Sequence, residues 1–277
     1  MTERIDAHVH LWNRRTDPQD WIDPVTMAAI DRDFGSDDLR AMLASTGMER
    51  AVLVQASNSL EESERLSHAD PSVVAGLVAW VDLTGDVPAQ LDRVRTGRVP
   101  VVGVRHLAHI DPDPEWLLRP DVAGGLAALG GEGLVFDLVV RDWQLPQAAA
   151  LAERHGDVRF VLDHLGGPLA GDADPAGWEK GLRALAAQGN VVAKVSGLTS
   201  GLVPGEWDAD DLGEVVDVAL DAFGPDRLLY GSDWPLAELG GGSPAWRSAF
   251  DELVSGLAAG ERDALLGGNA ARVYSLG

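Results

Sequence analysis

The first apolar run of the chain, residues 5–12, reads Ile-Asp-Ala-His-Val-His-Leu-Trp and sets His8 and His10 one residue apart. Side chains two apart in an extended strand share a face, so the two imidazoles project side by side. A pair of that kind can share a metal ion or grip one oxyanion. Two packed, hydrogen-bonded histidines would show the same spacing, so the weight falls on what later segments bring to meet them. Polar groups recur at the ends of later apolar runs: Arg105-His106 with His109 just beyond, Asp137 followed by Arg141 and Asp142, Asp163-His164, Lys194 and Ser196, and Ser232-Asp233. Such a gathering of titratable groups points to a site rather than to scattered core histidines. Arg105 and His106 alternate, so one of the two faces that site. Asp163 alternates with His164 and either joins the site, points at the helices or caps a turn. Lys194 lies inside Val-Val-Ala-Lys-Val, where an ammonium needs an anion or a polar ligand.

These residues need a frame that gathers strand ends. Eight apolar runs supply one, near 5–12, 51–56, 73–81, 101–107, 134–140, 159–164, 191–196 and 228–233. Continuous β-branched runs read as strands buried on both faces, as in a parallel sheet. Between them lie helical patterns at 36–47, 86–97, 147–155, 175–189 and 208–223, with further helices expected over 243–276. Eight strands alternating with helices predict an α/β fold, a (β/α)8 TIM barrel forming a single domain over 1–277. An open doubly wound sheet would want a glycine-rich first turn, and His10-Leu11-Trp12-Asn13 offers none. In a barrel the chemistry sits at the C-terminal strand ends. The long first connection, 13–35, is therefore expected at the rim, with 141–146, 199–207 and the glycine-rich 236–243.

Composition bounds the function. The net charge of -22, from 44 acidic and 22 basic residues, argues against nucleic acid and anionic membrane as partners. The absence of cysteine excludes disulfides, thiolate nucleophiles and cysteine-ligated zinc, and fits a cytoplasmic location. No apolar run is long enough to span a membrane, and no signal peptide is visible. The expected partner is a small-molecule substrate, with a homo-oligomer left possible.

Taken together, Asp6-Ala7-His8-Val9-His10, Gly103-Val104-Arg105-His106, Leu162-Asp163-His164-Leu165-Gly166, Lys194-Val195-Ser196-Gly197, Gly231-Ser232-Asp233-Trp234-Pro235 and the ending at 266–274 occur in one order. That order resembles the amidohydrolase superfamily, in its amidohydrolase-2 branch, and within it the sugar-acid and dicarboxylate lactonases. The resemblance implies hydrolysis of a small lactone by water, with Asp233 as general base and His8, His10 and His164 polarising the carbonyl. It implies either no metal or one divalent ion, zinc or manganese, on His8, His10 and Asp233, with His164 a further ligand. Dinuclear members carry a carboxylated lysine on strand four and a histidine on strand five. Arg105-His106 and Asp137 stand there instead, so a two-metal site is not expected. Arg105 and Lys194 are expected to grip the substrate, and Trp12, Trp143 and Trp234 to line its pocket. The rival readings are a metal-dependent amidase on the same site and a catalytically silent barrel that binds a sugar acid.

Overall fold

The structure, a computed structural model, describes residues 3–171 and 173–277. Eight parallel strands, β1 (Ile5–Val9), β2 (Arg50–Val54), β3 (Val74–Ala79), β4 (Val101–His106), β5 (Val135–Leu138), β6 (Arg159–Leu162), β7 (Val191–Val195) and β8 (Leu228–Tyr230), hydrogen-bond in sequence order. The seam between β8 and β1 is nearly closed, with Asp233 N donating to His8 O at 2.9 Å and His10 N to Trp234 O at 2.7 Å. This is the expected (β/α)8 barrel.

Helices α1 (Ser36–Thr46), α2 (Leu60–Leu66), α3 (Val87–Val94), α4 (Pro120–Gly131), α5 (Leu145–Arg154), α6 (Pro175–Ala186) and α7 (Asp210–Phe223) fill the connections, and α8 (Ser243–Leu253), α9 (Ala259–Asp263) and α10 (Asn269–Val273) follow β8. The sequence pattern predicts neither α2 nor α4. α2 is only seven residues long and mostly polar, and α4 carries four glycines, which weaken a helical pattern. The ends of α1 and α3 follow from local chemistry. Gly47 takes a left-handed φ of 69° after α1, where a side chain would be strained. Asp86 caps α3 by accepting from Ala89 N.

Inside the barrel the strand period sorts side chains into layers. Val135, Val161, Val192 and Leu229 pack together with Ile5, Ala7, Val273 and Tyr274 at the lower end. Two residues further along β4 and β5, Arg105 pairs in register with Asp137. Asp163 and Lys194 stand two residues beyond Val161 and Val192 and complete a charged layer, all of it buried. The outward residues of the same strands join the larger core under the helices. Among the described residues no helix is long and apolar enough to cross a membrane.

Candidate active site

The charged layer carries the site above it. Asp163 holds Arg105 Nη1 at 2.9 Å and Lys194 Nζ at 2.9 Å. Lys194 also holds Asp137 at 2.6 Å, and Tyr274 Oη donates to the same carboxylate at 2.9 Å. Burial pushes the Asp137 carboxyl up to about 6. Burial acts on Asp163 in the same direction, but Lys194 and Arg105 beside it hold its carboxyl well below the usual range. The layer therefore contains its own countercharges, as buried ions require.

His8 stands on this layer. Its Nδ1 lies 3.1 Å from Lys194 Nζ and 3.3 Å from Asp163 Oδ1, so either tautomer finds a partner. Burial, with the Lys194 ammonium beside it, pushes its pKa well below the ordinary histidine value and keeps the ring neutral. His10 Nδ1 faces Val54 O at 2.8 Å. A carbonyl only accepts, so Nδ1 carries the proton and the Nε2 lone pair is left for the site. His164 follows β6 with a left-handed φ of 53°, and its Nδ1 contacts Ser196 Oγ at 2.9 Å. Burial pushes the pKa of His164 down as well. Asp233 also takes a left-handed φ, 59°, just past β8. Left-handed side-chain-bearing residues concentrate at functional sites because only a determined environment sustains them.

These four residues meet. Asp233 Oδ1 lies 3.3 Å from His10 Nε2, 3.7 Å from His8 Nε2 and 4.0 Å from His164 Nε2. His8 Nε2 and His10 Nε2 are 3.1 Å apart. Ligand atoms around a tetrahedral zinc at 2.0–2.1 Å are separated by about 3.3 Å. Asp233 Oδ1 is buried and has no hydrogen-bond partner among the described residues. His8, His10 and Asp233 therefore have the donor types and spacing to hold one divalent ion. A second trio, His8, Asp163 and His164, is close enough to be considered. Its carboxylate is already neutralised by Arg105 and Lys194, so a second cation there would be repelled.

The cluster opens into a cavity of about 540 Å³, whose lining includes His10, His164, Asp233 and Arg105. Of the Arg105/His106 pair, Arg105 is thus the inward member. His106 stacks on Trp116 with centroids 3.7 Å apart and contacts Asp111 at 2.7 Å. Lys194 is placed otherwise than its substrate-gripping role requires. It is fully buried beneath His8, and both its carboxylate partners lie in the layer.

None of the three tryptophans expected to line the pocket does so. Trp12 is 1% exposed. β1 ends at Val9, so the two-residue alternation that would have aimed Trp12 with His10 stops first. Its indole instead donates to Arg32 O at 2.9 Å under the first loop. Trp234 is buried against Phe34, with ring centroids 5.1 Å apart. Trp143 lies outside the lining and is largely exposed. In their place the lining includes Trp21, Met27, His109, Arg141, Leu202 and Leu236. His109 and Arg141 stand directly after apolar runs, which was the available signal. The segment 167–171 also borders the cavity and was not expected to.

The profile of the family described as Amidohydrolase matches residues 5–276. An L-fucono-1,5-lactonase of Burkholderia multivorans is 34% identical over 297 residues, covering 99% of this chain and 96% of that protein. One of Burkholderia ambifaria is 34% identical over 284 residues, covering 100% of this chain and 97% of that protein. A solved amidohydrolase structure from Burkholderia multivorans with bound zinc is similar with a TM-score of 0.91 at 34% identity, covering 99% of this chain and 100% of that one. The chain belongs to the amidohydrolase family and is a hydrolase.

Proposed function

We propose that the chain opens the ring of a small hydroxylated lactone by attack of water, giving a hydroxy acid. The observation that carries this reading is the convergence of His8, His10 and His164 on Asp233 Oδ1, all within 4.0 Å, on the wall of an open cavity. The 34% identity to L-fucono-1,5-lactonases supports the substrate class.

Asp233 acts as general base. Its unpartnered Oδ1 takes a proton from water as the water oxygen bonds to the carbonyl carbon. Ser196 Oγ lies 2.9 Å from His164 Nδ1, and in the tautomer we assign it donates there, so that the His164 proton stands on Nε2, on the Asp233 side. That N–H stabilises the tetrahedral oxyanion, an interaction worth about 3–4 kcal/mol. As the ring C–O bond breaks, Asp233 returns the proton to the departing ring oxygen. His8, His10 and Asp233 would hold a divalent ion, which when bound supplies carbonyl polarisation and acidifies water. Arg105, Arg141 and His109 supply the cavity lining with polar groups for the substrate hydroxyls, and Trp21, Met27 and Leu236 supply it with apolar ones.

The test is a pH-indicator assay on a panel of aldono- and dicarboxylate lactones, run before and after chelation, with amides in parallel. Acid release from aldonolactones is expected. Asp233→Asn is expected to keep the fold and lose at least about a hundredfold in turnover, from the contribution of general base catalysis. A variant with near-normal rate removes Asp233 from this role. Turnover of amides alone transfers the site to an amidase.

A further inference from the structure

The long connection from β1 to α1 brings Trp21 to the cavity, where it is 40% exposed. Its ring stands edge-on to the buried Trp12, with centroids 5.8 Å apart. Its indole N–H donates to Gln19 Oε1 at 2.9 Å. The Gln19 amide in turn donates to Glu62 Oε1, also at 2.9 Å. Gln19 is itself buried, lies outside the cavity lining, and holds a left-handed φ of 50°. A glutamine stays in that region only where its surroundings dictate it.

Arg14 Nη1 and Ile22 N hold the backbone carbonyl of Gln19, and Glu62 holds its side-chain amide. Glu62 is 1% exposed on α2, whose first turn is set by Ser59 Oγ accepting from Glu62 N. Besides Gln19 it accepts from Ala56 N, from Ser57 N at 2.9 Å and from Ser57 Oγ at 2.8 Å. The carboxylate therefore ties three things together: the loop, the end of β2 and the start of α2. Ala56 borders the cavity as Trp21 does. The loop is further fastened by the Arg65–Asp17 and Arg14–Asp31 ion pairs.

We propose that Trp21 is the specificity-determining residue of the site, a platform for the apolar C–H face of a hydroxylated lactone ring, and that Gln19 and Glu62 form the clamp that holds it in place. A sugar ring is amphipathic, with hydroxyls around its edge and C–H groups on its faces. The cavity matches that pattern, since Arg105, His109 and Arg141 are polar while Trp21, Met27 and Leu236 are apolar. An aromatic face offers a large, rigid contact with little freedom to lose on binding. The platform half of the proposal rests on the lactone reading; the clamp half does not.

Two measurements test it. The first is kcat and KM for L-fucono-1,5-lactone with wild type, Trp21→Ala, Trp21→Phe and Gln19→Ala. Trp21→Ala is expected to raise KM about tenfold or more with kcat changed less than threefold. Trp21→Phe keeps a flat face and is expected to recover most of that loss. Gln19→Ala is expected to raise KM several-fold although Gln19 does not reach the cavity. The second is acrylamide quenching of Trp21 fluorescence, taken as the difference from the same protein carrying Trp21→Phe. Gln19→Ala is expected to make Trp21 more quenchable. An unchanged KM in Trp21→Ala overturns the platform, and unchanged quenching in Gln19→Ala overturns the clamp. A wild type that turns over no lactone sinks the lactone reading and the platform with it, while the quenching still decides the clamp.

Discussion

His109 carries a burial cost that can be read in solution. Its Nδ1 is buried without a partner among the described residues, and the residue lines the cavity as Arg105 and Arg141 do. Burial, with Arg105 and Arg141 adding to it, pushes its pKa from 6.5 down to about 3. A base whose folded pKa lies below its unfolded value holds fewer protons when folded. Stability is therefore fully present above the unfolded value and is lost as pH falls from 6.5 toward about 3. His109→Gln removes that proton uptake and is expected to show a shallower fall in Tm across this window than the wild type. Equal slopes would show that His109 is not a buried neutral base. His8 presents the same physics with a different outcome. Burial comes first and the Lys194 ammonium, 3.1 Å from Nδ1, adds to it, so the ring stays neutral, as a general acceptor or a metal ligand must be.

The β8–β1 seam and the turns after β6, β7 and β8 determine where these side chains meet. The seam bond from Asp233 N to His8 O at 2.9 Å fixes the Asp233 backbone against β1, and its left-handed φ is the local conformation that goes with it. Aspartate and histidine tolerate that region better than most residues, which suits Asp233 and His164 to these turns. Gly197, just past β7, has a φ of 67°, and a Cβ there would lie 2.5 Å from His164 Nδ1. Gly197→Ala is expected to cost about 1 kcal/mol or more from the backbone alone. It must also displace His164, and a misplacement of about 1 Å can cost roughly a hundredfold in rate. Measuring kcat together with Tm separates the two effects. An alanine variant with wild-type turnover would show that the position of His164 does not govern the reaction.

Across the whole barrel, a buried charged layer links the lower end to the catalytic end. Tyr274, next to α10, closes the lower end and donates upward to Asp137. Asp137 holds Lys194, which stands beneath His8. Removing one member of such a layer strands its partners. Lys194→Met leaves Asp137 and Asp163 without their shared cation and is expected to destabilise the fold by about 3–5 kcal/mol in urea titration. The double variant Lys194→Met with Asp137→Leu removes the stranded charge, leaves Asp163 with Arg105, and is expected to recover a large part of the loss. Additive losses in the double variant would show that the Lys194–Asp137 pair is not coupled.

The sequence alone determined the barrel, because eight β-branched runs alternating with amphipathic segments have few other ways to bury both faces of each strand. It also brought out His8 and His10, since two-residue alternation carries one residue past β1 before it fails, and it singled out His164 and Asp233 as the polar groups just past β6 and β8. Periodicity stops where a strand stops. Past Val9 the chain turns under its own loop and takes Trp12 with it. After Asp233 the left-handed turn sends Trp234 outward to Phe34. Only the tertiary structure could decide that Arg105 rather than His106 turns inward, that Lys194 is spent on Asp137 and Asp163, and that Trp21 rather than Trp12 borders the cavity. Each of those outcomes depends on partners tens of residues away, such as Asp163 for Arg105 and Glu62 for Gln19, and no local pattern encodes a partner at that distance.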